Sequence, residues 1–261
     1  MTMSEQVTQP NSKTLWIWPS GIFPRRVAYY LRVKGLSTAD LDKENLRLIP
    51  CHIDTTSQEL NLEAIPGYEK RPPGFSLPVL RIIDSEKKTF IAESSSILEY
   101  LEDLFPDLQG YHNLRGDDII QKAKVRDIVQ LTNELLTWCN VQVRHSTDFS
   151  LLWSGMTKEQ QSVAAAEDAK VQIARMLKRL ESWIDDNGNV SLVRTALPTT
   201  ADVTVAAAKV SMEEIYGIRL FEGFHKLEAW WGRYEANPWF VTKSEMEDVE
   251  NGNIVSLLSQ C

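Results

Sequence analysis

Apolar and polar positions follow two different rhythms along this chain. Leu15-Trp16-Ile17-Trp18 is a continuous apolar run closed by Pro19-Ser20-Gly21, which predicts a buried strand entering a turn. From Arg25 to Lys34, Val27, Tyr30 and Leu31 fall at i, i+3 and i+4, with Arg25, Arg26, Arg32 and Lys34 on other faces. This spacing predicts an amphipathic helix with Pro24 in its first turn and Gly35 just past its end. Leu46-Arg47-Leu48-Ile49 predicts a second strand. Residues 55–75 are punctuated by Pro66, Gly67, Pro72, Pro73 and Gly74, which predicts a loop with one helical turn at most. Leu77-Pro78-Val79-Leu80-Arg81-Ile82-Ile83 follows as a strand whose proline must stand at its start or at an edge, because proline cannot donate to a ladder. Phe90-Ile91-Ala92 is a brief strand, and Ile97, Leu98, Leu101 and Leu104 mark the apolar face of a helix opened by Glu93-Ser94-Ser95-Ser96.

From about residue 117 only helical periods remain. Ile119 to Cys139 is one long period, residues 158–185 a second, and Leu227 to Tyr234 a third, ended before Asn237-Pro238. Between them Thr199-Thr200-Ala201-Asp202 carries an acid three residues after a threonine, a variant of the capping box. The predicted organisation is an N-terminal arm (1–13), a mixed α/β domain (14–105), an all-helical domain (111–245) and a tail (246–261). The linker is Phe105-Pro106-Asp107-Leu108-Gln109-Gly110.

Composition changes this picture mainly by exclusion. Of 261 residues, 43% are apolar and 25% charged, as in an ordinary globular protein. The net charge of −8, with no basic stripe, argues against a nucleic-acid partner, whose phosphates demand Lys and Arg. Cys51, Cys139 and Cys261 are odd in number and widely spaced, with no CxxC, so neither a zinc ribbon nor a dithiol redox motif is expected. We expect no metal, no membrane span and no signal peptide, and hence a reduced, cytoplasmic protein.

Four segments in this order are together specific: Ser20-Gly21-Ile22-Phe23-Pro24-Arg25-Arg26-Val27, Leu77-Pro78-Val79-Leu80, Glu93-Ser94-Ser95-Ser96-Ile97-Leu98-Glu99-Tyr100-Leu101, and Leu197-Pro198-Thr199-Thr200-Ala201-Asp202-Val203. With a helical second half, they resemble the glutathione transferase superfamily over roughly residues 14–245. The resemblance implies a thioredoxin-like α/β domain followed by an all-α bundle. The Trp-Pro-Ser-Gly start is similar to fungal members, including ones attached to biosynthetic pathways such as pseurotin's.

The resemblance also implies a glutathione site. The bond before Pro78 would be cis, leaving the Leu77 backbone free to pair with the cysteinyl unit, as in strand addition to an open edge. Ser94, with Glu93 before it, stands where a helix begins and would hold the γ-glutamyl group, since free N–H groups and the helix dipole favour an anion there. Lys70 and Arg71, and also His52, are candidates for the glycyl carboxylate. Glutathione's thiol needs ionisation, and members commonly place Ser, Cys or Tyr at the end of the first strand. Gly21 occupies that place here. Two alternatives follow: Ser20 supplies the hydroxyl, or the backbone N–H groups of Ile22 or Phe23 hold the thiolate. Trp138, Arg144, His145, Phe149 and Trp153 are candidates for a second-substrate pocket between the domains. Asp202 is assigned a capping role only.

The expected activity is a glutathione transferase that adds the thiolate to an unsaturated or epoxide carbon of a small molecule. Reversible addition to a conjugated alkene would instead make it a glutathione-dependent cis/trans isomerase. A non-catalytic binding or regulatory module on the same scaffold is the third possibility. A homodimer is expected from the family.

Overall fold

The computed structural model describes residues 11–54, 61–85, 87–184 and 188–258. Strand β1 (Ser12–Ile17) is followed by α1 (Ile22–Lys34), α2 (Thr38–Lys43), β2 (Leu46–Asp54), β3 (Asn61–Ala64), β4 (Val79–Asp84), β5 (Lys87–Ile91) and α3 (Ser94–Leu104). The sheet order is β3-β2-β1-β4-β5. β1 runs parallel to β2, with Leu15 opposite Leu48, and antiparallel to β4, with Leu15 opposite Leu80. Alternation along β1 divides its side chains between two cores. Leu15 and Ile17 join the main core under the helices, while Trp16 packs with Ile49, Cys51, Leu77 and Val79 on the opposite face. The β1–β2 ladder ends at the Ile17–Pro50 pair, after which β2 pairs only with β3. Proline has no N–H to continue it.

The second half is helical: α4 (Ile119–Ser146), α5 (Leu151–Ser154), α6 (Val163–Trp183), α7 (Thr200–Tyr216), α8 (His225–Glu235) and α9 (Lys243–Glu250), then a 3-10 turn at Ile254–Leu257. α7 is buried nearly all round and packs on α4 and on α1 of the first domain. Thr199 caps it, and Asp202 accepts from the Thr199 N–H and hydroxyl, both at 2.7 Å, closing the capping box. No helix among the described residues is long and apolar enough to cross a membrane.

The structure departs from the sequence pattern in four places. The 55–75 region holds a strand, β3, within its described part, where a loop or helical turn was expected. Four residues alternating between exposed and half-buried are too short to show a period amid prolines and glycines. α4 runs two turns beyond Cys139. Arg25, Arg26 and Lys34 are buried at 1%, 1% and 2% exposure, because α1 is sandwiched between the sheet and the helical domain. The expected boundary at 245/246 falls inside α9. That helix and the turn after it lie on α1 and β2, with Met246, Val249 and Leu257 fully buried. The C-terminal segment is thus a structural layer of the first domain.

Candidate functional site

The reactive corner is built by a tight turn. Trp18-Pro19-Ser20-Gly21 closes with the Gly21 N–H donating to the Trp18 carbonyl at 2.9 Å, and α1 begins at Ile22. Gly21 caps α1 without a side-chain bond. The N–H groups of Ile22 and Phe23 belong to the first helical turn, which has no intrahelical acceptor. They present two donors at the positive end of the helix dipole.

This helix end opens on a cleft of about 510 Å³ between the two halves. The first domain contributes Trp18, Gly21, Ile22, Phe23, Arg71 and Leu77. The helical domain contributes Asn133, Thr137 and Asn140 in a row along α4, then Phe149, Trp153, Met212 and Tyr216. Arg71 is the only charged side chain lining the cleft among the described residues. Its Nε donates to the Leu62 carbonyl at 2.9 Å and its Nη1 to the Phe75 carbonyl, so loop carbonyls fix its orientation. The Leu77–Pro78 bond is cis, and Leu77 forms part of the wall.

Ser94 stands at the start of α3, buried behind the cleft. Its hydroxyl accepts from Arg26 Nη1 at 3.2 Å, and the same nitrogen donates to Asn133 Oδ1 at 2.7 Å. A guanidinium therefore joins the α3 N-terminus to the α4 wall. Burial lowers the Arg26 pKa to about 10, partly offset by the Glu93 carboxylate. Arg26 also stacks under the Phe23 ring at 5.1 Å.

The structure brings some predicted residues together and separates others. Leu77 and Arg71 line the cleft, with Ser94 one guanidinium away. Glu93 and Lys70 stand exposed on the surface, and His52 sits on β2 opposite Glu63. Ser20 is half-buried and outside the cleft lining, where Gly21 takes the wall position. Of the second-substrate candidates, Phe149 and Trp153 line the cleft. Trp138 packs against the core, and His145 Nδ1 accepts the Ser162 N–H at 3.1 Å, bracing a loop. The Arg144 carbonyl likewise accepts from Gln161. Cys139 lines the wall, but burial pushes its thiol up to about 12, far from a thiolate at neutral pH. The sequence reading did not single out the polar row Asn133, Thr137, Asn140. Its i, i+4, i+7 spacing on a helix with an apolar opposite face is a legible signal. Arg26 as a buried hub had no comparable sign.

A thioredoxin-like domain with a cis-proline strand, joined across a cleft to a helical bundle, defines the glutathione transferase fold, and solved structures bear this out. A maleylacetoacetate isomerase from Anaeromyxobacter dehalogenans with bound glutathione superposes at TM-score 0.60. It has 19% identity, over 95% of this chain and all of that one. A glutathione S-transferase from Methylobacillus flagellatus with glutathione bound gives 0.62 at 15% identity, covering 91% and 98%. Rice GST1 in complex with glutathione gives 0.57 at 18%, covering 94% and 95%. No protein-family model and no curated protein matches the chain.

Proposed function

We propose that the chain is a glutathione transferase whose sulfur site is made of backbone. The carrying observation is the free first turn of α1, opening at Gly21 onto a cleft that also holds Leu77 and Arg71. Glutathione supplies the nucleophilic sulfur, and the chain binds and orients it. The Leu77 backbone pairs with the cysteinyl unit, Arg71 takes the glycyl carboxylate, and the α3 N-terminus with Ser94 takes the γ-glutamyl carboxylate. The Ile22 and Phe23 amides stabilise the thiolate, lowering its pKa as preorganised donors do. Neighbours of this fold that carry bound glutathione support the assignment.

The second substrate lies against Phe149, Trp153, Met212 and Tyr216. With one charged side chain in the lining among the described residues, and that one assigned to glutathione, the cleft suits an uncharged unsaturated electrophile. Holding both partners in one site supplies proximity. Reversible addition at the same place would isomerise a conjugated alkene, and the isomerase among the fold neighbours favours that as the second reading.

Calorimetric titration with glutathione tests the proposal. Saturable binding is expected, weakened at least about tenfold in Ser94→Ala, as for a lost hydrogen bond to a charged group. A folded protein that takes up no glutathione at several millimolar would overturn it.

A further inference from the structure

The Ser20 peptide is gripped from both sides. Its N–H donates to Glu250 Oε1 at 3.1 Å, and its carbonyl accepts from Arg25 Nη2 at 3.1 Å. The same Nη2 pairs with Glu214 Oε2 at 2.6 Å. Arg25 is on α1, Glu214 on α7 and Glu250 at the end of α9, so three helices meet on one turn. Ser20 directly precedes the Gly21 cap. Fixing both of its backbone groups therefore fixes the peptide planes that lead into Ile22 and Phe23.

We propose that Glu250 is a positioning residue for the sulfur site: it sets the Trp18–Gly21 turn, and through it the aim of the Ile22 and Phe23 amides. This inference rests on the preceding reading, in which those amides hold the thiolate. Two observations separate the role from simple docking of α9. The helix is anchored by Met246 and Val249, both fully buried, and by Glu245 pairing with Arg32 Nη2 at 2.8 Å. Those contacts are made without Glu250. Its carboxylate instead makes a charge-assisted bond to a main-chain donor 230 positions away, on the turn that carries the reactive corner. Within the segment the turn is held by its own Gly21–Trp18 bond and by the Arg25 N–H donating to the Gly21 carbonyl at 2.9 Å, neither of which engages the Ser20 N–H. A donor pair must hold its direction to within a few tenths of an ångström to stabilise a developing charge.

The test compares Glu250→Ala, Glu250→Gln and Glu245→Ala in the full chain. In Glu250→Ala the pKa of bound glutathione, read from the ultraviolet absorbance of its thiolate, should rise by about one unit. The value of kcat should fall about tenfold, with the glutathione KM moving less than about twofold. Glu250→Gln should restore most of both, since an amide oxygen accepts the same N–H. Glu245→Ala should lower Tm without moving the thiol pKa. Amide hydrogen exchange of ligand-free protein over residues 19–23 should speed up in Glu250→Ala and not in Glu245→Ala. Unchanged exchange in Glu250→Ala, or faster exchange with an unmoved thiol pKa, overturns the inference alone. Wild-type protein that binds no glutathione removes the sulfur site and overturns both readings.

Discussion

A Cβ atom on Gly21 would stand 2.7 Å from Cε3 of Trp18 and 3.3 Å from Cδ of Pro24. The backbone at Gly21 is ordinary, with φ −73° and ψ 149°, so space and not conformation demands glycine here. Gly21→Ser puts a hydroxyl at the end of the first strand, yet it must displace an indole that walls the cleft. We expect a loss of about 1–3 kcal/mol in stability, as for other overpacked sites. Conjugation should fall with it, and thermal unfolding with steady-state rates checks both. Trp18→Ala combined with Gly21→Ser should cost less than the two single changes summed, because it removes the clash.

Ser20 stands outside the cleft lining: its backbone is held by Glu250 and Arg25, and its hydroxyl bonds the Glu250 carboxylate. Ser20→Ala keeps the N–H that Glu250 accepts and the carbonyl that Arg25 donates to. Its conjugation rate and bound-thiol pKa should stay within about twofold and ~0.3 unit of wild type. A shift of a full unit would return the hydroxyl to the mechanism.

Trp153 and Phe149 line the cleft from the helical side and are not among the residues assigned to glutathione. Trp153→Ala should raise the KM of an apolar electrophile about fivefold or more, the cost of lost aromatic contact. The glutathione dissociation constant should not move. Calorimetry and steady-state kinetics on the same preparation separate the two.

Lys34 and Glu102 form an ion pair at 2.7 Å, with side-chain exposures of 0% and 3%. Glu102 also accepts from the Tyr30 hydroxyl at 2.8 Å and from the Leu114 N–H at 3.2 Å, tying α1 and α3 to the entry of the helical domain. Burial lowers the Lys34 pKa, against the pull of Glu102. Glu102→Gln leaves a buried ammonium without its counter-charge and should cost about 3–5 kcal/mol in urea denaturation. Lys34→Met with Glu102→Leu should recover part of that. The Tyr30 hydroxyl and Leu114 N–H would still lack an acceptor, keeping the pair below wild type.

Asp202 is fully buried, and burial pushes its pKa up from 3.8 to about 6 against four hydrogen bonds that lower it. A carboxyl whose folded pKa lies above its unfolded one adds stability below the unfolded value. That stability is lost as pH rises through the folded value. The stability of wild type relative to Asp202→Asn should therefore fall by about 2–3 kcal/mol between pH 4 and pH 6.5. Denaturant titrations of both proteins across that range decide it, and a gap that widens with pH would contradict the assignment.

Where neighbouring residues decide the outcome, the chain announces its structure. The α1 terminus at Gly35 is such a case: its αL conformation (φ 75°) lets the Leu36 N–H close on the Leu31 carbonyl at 3.2 Å. The Thr199–Asp202 box and the strand opening behind Pro78 are others. Periodicity fails at β3, which is too short to repeat, and at α1, whose arginines suit a solvated face and are instead buried against a second domain.

The same division holds for the site. Sequence alone determined the two-domain fold class, through the order of four short segments along the chain, and the Leu77–Pro78 edge, the helix start at Ser94 and the absence of a side chain at Gly21, each encoded within a few adjacent residues. Only the tertiary structure decided that Arg26 bridges Ser94 to Asn133, that Trp18 fills the space above Gly21, and that Glu250 reaches Ser20. Those contacts join residues from 68 to 230 positions apart, apart from the Trp18 turn. A polar side chain carries no local mark of its distant partner. The match is made only when packing of the apolar faces has already brought the helices together.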